Sequence, residues 1–377
     1  MARFLALVAC CAVVVQGGYF PAFYLWAGAA LAVGIAVSPR KIRCPKGLLP
    51  LVLLSGWYLL ASAVNGPSAE GLAQAALPMV CLLFALLTLS LDEKERRTML
   101  VWIARFGGVA AIAAILAFFG VLPVAGAVTA HRLQFTFQYV NAAGIWFAAV
   151  LLLRGELKDK WVNYLCPFVA VALLLTRSIG AIGAYLVLQI AALLGQYGKK
   201  SWKAWAAAGG AALLGGIAIL TRIPQGLGTF QERLVQSGDG LRGMLAAPVF
   251  GFGPGSWGDV KPLFESYDYS AQVVHNSYVQ AGVSAGFPAL LFLLAAVVLA
   301  LRLMKGRSPA LKAAALLIPL HAVMDFTLCF FAVDALLMGI LALPAKPEGR
   351  ALPRWGQRIF GGAALVFCVI AAVLRLN

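Results

Sequence analysis

The chain has 377 residues, of which 62 % are hydrophobic and 12 % charged, and its mean hydropathy is +0.89. Soluble globular domains carry about a quarter charged residues, so this composition excludes one and points to a polytopic membrane protein. The formal charge of +16 does not point to nucleic acid, because the basic residues lie in short loops between apolar runs.

A bilayer core about 30 Å thick needs about 20 apolar residues per helix. About thirteen runs of that order follow one another, at approximately 4–17, 20–38, 47–64, 71–91, 99–122, 139–153, 161–175, 178–196, 203–221, 279–301, 309–325, 328–344 and 357–374. The first is short and lacks a small-residue cleavage site before Pro21, so it reads as a retained helix and not a signal peptide. The pair around Asp325 leaves room for a partly re-entrant arrangement. The expected class is an all-α membrane bundle of about 12–13 transmembrane helices with one long loop.

Basic residues gather in alternate loops: Arg40, Lys41, Arg43 and Lys46; Lys94, Arg96 and Arg97; Arg154, Lys158 and Lys160; Lys199, Lys200 and Lys203; Arg302, Lys305, Arg307 and Lys312; Lys346, Arg350, Arg354 and Arg358. Such loops face the cytoplasm. That places the N-terminus inside and, outside, the loop 123–138, the turn from Thr176 to Ser178 and the long segment 222–278. One membrane domain results: helices over 1–221, the loop 222–278, and helices over 279–377. The seven cysteines, from Cys10 to Cys368, lack paired-ligand spacing and read as packing residues. No convergent His, Cys or carboxylate cluster suggests a metal.

Polarity concentrates in the long segment. There VVHNSYVQAG (273–282) enters the tenth run, and His275 is one of only three histidines, with His131 and His321. A lone histidine at a helix mouth is ordinarily a hydrogen-bonding structural residue. At or just before a first helical turn, free N–H groups disfavour imidazolium, and a neutral imidazole can act as a general base toward a hydroxyl. Upstream, Gly251-Phe252-Gly253-Pro254-Gly255 is a compact turn without Walker or dinucleotide features. Arg222, at the end of a run, reads as an interface anchor. His131 and Arg132 read as a solvated loop pair. Asp259, Glu265 and Asp268 are read as solvated or, with Trp257, Tyr267 and Tyr269, as sugar-facing.

Together these residues carry a resemblance. Arg233, Pro248, the Gly251/Gly253/Gly255 turn and His275-Asn276-Ser277-Tyr278-Val279-Gln280 are similar in order and spacing to a signature of the O-antigen ligase and polymerase family. FTFQYVNA (135–142), TRSIGA (176–181) and His321 with Asp325-Phe326 are similar to its other elements, so the resemblance spans roughly 130–344. A glutamate common in the family is absent here, where Val283-Ser284-Ala285-Gly286 stands.

The resemblance implies a fold like that of GT-C-type membrane glycosyltransferases and a bacterial inner-membrane enzyme with its site on the extracytoplasmic face. It implies transfer of a glycan from undecaprenyl diphosphate to an acceptor hydroxyl on a lipid, cell-wall polymer or protein, or the polymerisation of repeat units from the same donor. His275 would be the base, Arg177, Arg233 and Arg242 would hold the diphosphate, and Asn276, Tyr278, Gln280, His321 and Asp325 would support them. Its partners are that donor, the acceptor and membrane lipids, with no cofactor and no nucleic acid. A flippase or other transporter is the rival of another class. Transporters place polar sites near the midplane in broken helices, whereas polarity here concentrates in one outer segment.

Overall fold

The computed structural model describes residues 1–198, 201–220, 223–346 and 349–376; Lys199, Lys200 and Arg222, named above, lie outside the described residues. The chain is all-α and 76 % helical. Each of the thirteen apolar runs holds one helix, and the segment between the ninth and tenth holds two more.

In chain order the helices are α1 (Ala2–Val14), α2 (Pro21–Val37), α3 (Leu49–Val64), α4 (Ala69–Leu89), α5 (Glu93–Phe118), α6 (Val140–Leu157), α7 (Lys160–Thr176), α8 (Ile179–Tyr197), α9 (Trp202–Leu220), α10 (Ile223–Ala246), α11 (Trp257–Val260), α12 (Ser277–Arg302), α13 (Pro309–His321), α14 (Phe331–Ala342) and α15 (Arg354–Leu376). Four two-residue strands, β1 (Arg43–Cys44), β2 (Val128–Thr129), β3 (Arg132–Leu133) and β4 (Arg350–Ala351), pair antiparallel as β1 with β4 and β2 with β3. Among the described residues seven helices are long and apolar enough to cross a membrane, namely α3, α4, α5, α6, α8, α12 and α15. Helices α1, α2, α7, α13 and α14 are apolar but shorter.

Side-chain caps set many of the boundaries. Ser68, Ser178 and Ser308 accept from backbone N–H groups in the first turns of α4, α8 and α13, and Asp159 does so for α7. Asp92 and Glu95 close a reciprocal capping box on α5. Helix α6 sits at the centre, buried from Val140 to Leu153, as a helix apolar on all sides must be. Around it pack α5, α7, α8 and α13. At the end where the basic loops gather, Arg40 forks onto Glu95 with both N···O distances at 2.6 Å, and Arg105 onto Asp159 at 2.6 and 3.0 Å. Buried Arg96 donates to the carbonyls of Ala342 and Ala345 past the end of α14, where a cation meets the negative end of the helix.

The segment 222–278 differs from a plain loop, because α10 occupies 24 residues of it. Gln236, Asp239, Gly240, Gly243 and Met244 form its inward face and are buried. Leu227, Phe230, Leu234, Leu241 and Leu245 are exposed on another side. This is the spacing of an amphipathic helix; interspersed glycines and charges hide it in the sequence. Gly240 and Gly243 bring α10 close to Val274, Val279 and Trp257.

Helix α12 is broken at Ala285 and Gly286, where φ is −146° and +77°. The glycine turn explains the break. Gly251 has φ +61°, and a Cβ there would lie 2.3 Å from the Val283 carbonyl oxygen; a Cβ on Gly286 would lie 2.2 Å from the Val249 carbonyl oxygen. Two backbones interlock here, with Phe252 N–H donating to Val283 O at 2.9 Å and Phe287 N–H to Pro248 O at 2.8 Å. Trp57 Nε1 satisfies the Ala285 carbonyl at 2.8 Å. The turn thus clasps the kinked helix, and only glycine permits both the conformation and the approach.

Candidate active site

Asp325 lies in the non-helical connection between α13 and α14 and is completely buried. A buried carboxylate must be paired and hydrogen-bonded, and this one is. Tyr139 Oη donates to Oδ1 and Oδ2 at 2.9 and 3.0 Å, Asn141 Nδ2 donates to Oδ2 at 2.9 Å, and Arg233 Nη2 stands 3.0 Å from Oδ2. Arg233 Nη1 also donates to the Met324 carbonyl at 2.8 Å. Ser178 Oγ donates to Asn141 Oδ1 at 2.7 Å, which links the N-cap of α8 to the same carboxylate.

The connection itself is stapled to the start of α12. Ser277 N–H donates to the carbonyls of Ala322 and Asp325 at 2.9 and 3.0 Å, and Ser277 Oγ donates to Asp325 O at 2.8 Å. Tyr278 Oη reaches the Pro319 carbonyl at 2.9 Å. Phe326 stacks on Tyr139 with centroids 4.6 Å apart.

His275 stands edge-on to Phe326, its ring centroid 5.0 Å away. Its backbone is fixed on both sides. Gln280 Oε1 accepts from Val274 N–H at 2.7 Å, Asn276 N–H donates to Val274 O at 2.7 Å, and Asn276 Oδ1 caps α12 by accepting from the N–H groups of Tyr278 and Val279. The i→i+2 bond puts His275 at the apex of a γ-turn. Asn276 is therefore the helix cap, and the His275 ring is left for another task.

Burial pushes the His275 imidazole below its ordinary pKa; the Asp325 charge opposes this and the Arg233 charge adds to it. His275 is neutral at neutral pH as a result. Among the described residues its Nδ1 is buried without a hydrogen-bond partner, and so is Arg233 Nε. Buried polar atoms are normally satisfied. An unbonded imidazole nitrogen and an unbonded guanidinium N–H around one carboxylate can accept a proton and hold an anion.

No protein-family model and no curated protein matches this chain. The site is accordingly read from its own residues. Arg233, His275, His321 and Asp325, the first and last 92 residues apart in sequence, converge on one end of the bundle. His321 Nδ1 shares a 2.6 Å hydrogen bond with Thr327 Oγ1, and its Nε2 side lies against Gly180. Asn276, Tyr278 and Gln280 are all engaged in holding the α12 entrance. Arg177 ends α7 in a left-handed conformation, φ 49°, next to the Ser178 that joins the network. Arg132 Nε donates to the neighbouring Thr176 carbonyl at 3.2 Å.

Arg242 stands apart from the Asp325 network. It pairs with buried Asp239 at 2.5 Å and donates to Phe264 O and Ser266 Oγ at 2.7 and 2.8 Å. Asp239 also receives Ser266 N–H and Tyr269 Oη, so this node ties α10 to the loop that follows. Trp257 corrects the sugar-facing reading: it is 1 % exposed and packs with Met244, Val274 and Val283. Glu265 is paired with Lys261 at 3.0 Å. Among the described residues no three His, Cys, Asp or Glu side chains are grouped to hold a metal ion. Tyr139 and Thr327 carry no signal of their own in the sequence, and Asn141, Ser178 and Ser277 stand there only as members of longer motifs. The stretches FTFQYVNA and TRSIGA contain Tyr139, Asn141 and Ser178, but which of their polar residues turns inward depends on the packing of α6 against α8.

Proposed function

We propose that this protein is a membrane glycosyltransferase resembling O-antigen ligases, which moves a glycan from undecaprenyl diphosphate to an acceptor hydroxyl at the outer face of the bacterial cytoplasmic membrane. The observation that carries this reading is the pairing of two buried, unsatisfied atoms, His275 Nδ1 and Arg233 Nε, beside a carboxylate that fixes the guanidinium.

In the proposed step His275 Nδ1 takes the proton of the acceptor hydroxyl as its oxygen bonds to the anomeric carbon. The bond from that carbon to the diphosphate oxygen breaks, and its electron pair leaves with undecaprenyl diphosphate. Attack opposite the leaving group inverts the anomeric centre. Arg233 meets the departing charge through Nε and the N–H groups not used on Asp325 and Met324 O; a guanidinium forks onto phosphate oxygens and stays charged. Arg177 is assigned to the same diphosphate. Asp325, held by Tyr139 and Asn141, positions Arg233, His321 braces the connection around Asp325 through Thr327, and Asn276, Tyr278 and Gln280 position His275. Arg242 orders the outer loop through Asp239.

Polymerisation of repeat units uses the same donor and the same step with a second lipid-linked glycan as acceptor. Deleting the gene and analysing the accumulated lipid-linked glycan tests the reading. Unreacted donor in the outer leaflet supports a transferase, and donor trapped in the inner leaflet supports a flippase. The length of the glycan found on the finished product separates ligase from polymerase.

A further inference from the structure

A cavity of about 670 Å3 is bounded by α3, α4, α12 and α14. Its lining on α12 runs from Ser277, ahead of the break at Ala285 and Gly286, to Leu301, so it reaches from one end of that helix nearly to the other. One end lies beneath the entrance of α12. The other end opens among the basic loops, where Lys46, Arg307 and Lys346 line it. The walls between are mainly aliphatic, from Leu51 and Leu54 on α3 to Val297 on α12 and Leu341 on α14.

The three cations at the mouth differ from their neighbours. Arg40, Arg97 and Arg105 are each paired with a carboxylate. Among the described residues Lys46, Arg307 and Lys346 are in no ion pair. Among the described residues the one acid lining the cavity is Asp334, in the first turn of α14 and 12 residues before Lys346, toward the opposite end. A long apolar slot whose three mouth cations are in no ion pair among the described residues is complementary to one kind of molecule, an anionic amphiphile. Basic pockets between transmembrane helices bind anionic lipid headgroups by this charge match.

We propose that this cavity is a binding site for an anionic phospholipid, with its headgroup held by Lys46, Arg307 and Lys346 and an acyl chain lying along α3 and α12. The site does not depend on the transferase reading. Its cations lie at the far end of α12 from Arg233 and His275, so the headgroup they hold is not the diphosphate assigned to the reacting site.

Native mass spectrometry of the purified full chain tests the proposal, with phosphatidylglycerol and phosphatidylcholine of identical acyl chains titrated in turn. Each juxtamembrane Lys or Arg adds about 1 kcal/mol of attraction to an anionic surface, so the wild type should prefer phosphatidylglycerol by roughly tenfold or more. Lys46→Gln with Lys346→Gln should reduce that preference several-fold and leave phosphatidylcholine binding unchanged. Neither lysine side chain makes a hydrogen bond or ion pair among the described residues, so this variant is expected to fold. Removing cations on other loops, as in Lys94→Gln with Lys158→Gln, should leave the preference intact. Equal binding of both lipids by the wild type, or an undiminished preference in the Lys46/Lys346 variant, overturns the proposal. Displacement of phosphatidylglycerol by an uncharged polyprenol at equal concentration assigns the slot to an isoprenoid tail and overturns it as well.

Discussion

At the scale of single residues, the account separates His275 from its neighbours by what each atom touches. Asn276 is the cap and Gln280 the brace, while His275 Nδ1 has no hydrogen-bond partner among the described residues. His275→Ala should therefore lose about 10²- to 10⁴-fold in turnover, the scale of a positioned base, with lipid-linked donor still bound. His275→Asn should fail equally, since the cap it could imitate is already in place. Acidity gives a second check. Burial lowers the His275 pKa, so turnover is full at neutral pH and falls as pH drops, with an acid limb below the ordinary histidine value of about 6.5. An acid limb above that value, or one unchanged in His275→Asn, contradicts the assignment. Arg233 and Asp325 are predicted to act as a buried pair. Arg233→Met leaves the Asp325 carboxylate uncompensated and should destabilise the protein by about 3–5 kcal/mol, read as a fall in thermal midpoint in detergent. Adding Asp325→Asn should recover most of the stability and none of the activity, which distinguishes a structural pair from one that also serves the donor.

At the scale of elements, each of the thirteen apolar runs marked a helix, because apolar sequence of that length in a bilayer must satisfy its own backbone; among the described residues seven of these helices are long and apolar enough to cross a membrane, fewer than the 12–13 that run counting implies. The inner boundaries were legible where caps are written locally, as at Asp92 and Asn276. Helix α10 was not, since five glycines from Gly226 to Gly243 and two arginines obscure a face that becomes apolar only against α12. The break in α12 was also unwritten locally. It follows from the meeting of Gly251 with Val283 and of Gly286 with Val249, which are 32 and 37 residues apart in sequence. Gly286→Ala and Gly251→Ala should each be more disruptive than a helix propensity change implies, costing about 1–3 kcal/mol from overpacking alone. Both should lower turnover with His275 intact, because the clasp sets where α12 begins. Wild-type thermal stability in either variant would show that the backbones do not interlock.

At the scale of the whole molecule, the all-α membrane bundle could be read from composition, whereas the convergence at Asp325 could not. His275, Arg233, Asn141 and Asp325 come from four separate parts of the chain, and their meeting depends on α13 and α14 being only 13 and 12 residues long. Their connection therefore bends into the bundle, where Ser277 and Tyr139 satisfy it. The predicted orientation follows from the basic loops. In a background without exposed Cys11, a cysteine at Ser270 should react with an impermeant reagent on intact cells, and one at Lys305 should not. Reaction at Lys305 alone would put the site on the inner face. The central claim, that the protein breaks a glycan–diphosphate bond using His275, is tested most directly with purified protein, undecaprenyl-diphosphate-linked glycan and acceptor. The account predicts that wild type releases undecaprenyl diphosphate and glycosylates the acceptor in equal amounts, and that His275→Asn of normal thermal stability does neither at a comparable rate. Glycan crossing the bilayer with its diphosphate bond intact, or a His275→Asn protein as active as wild type, would contradict it.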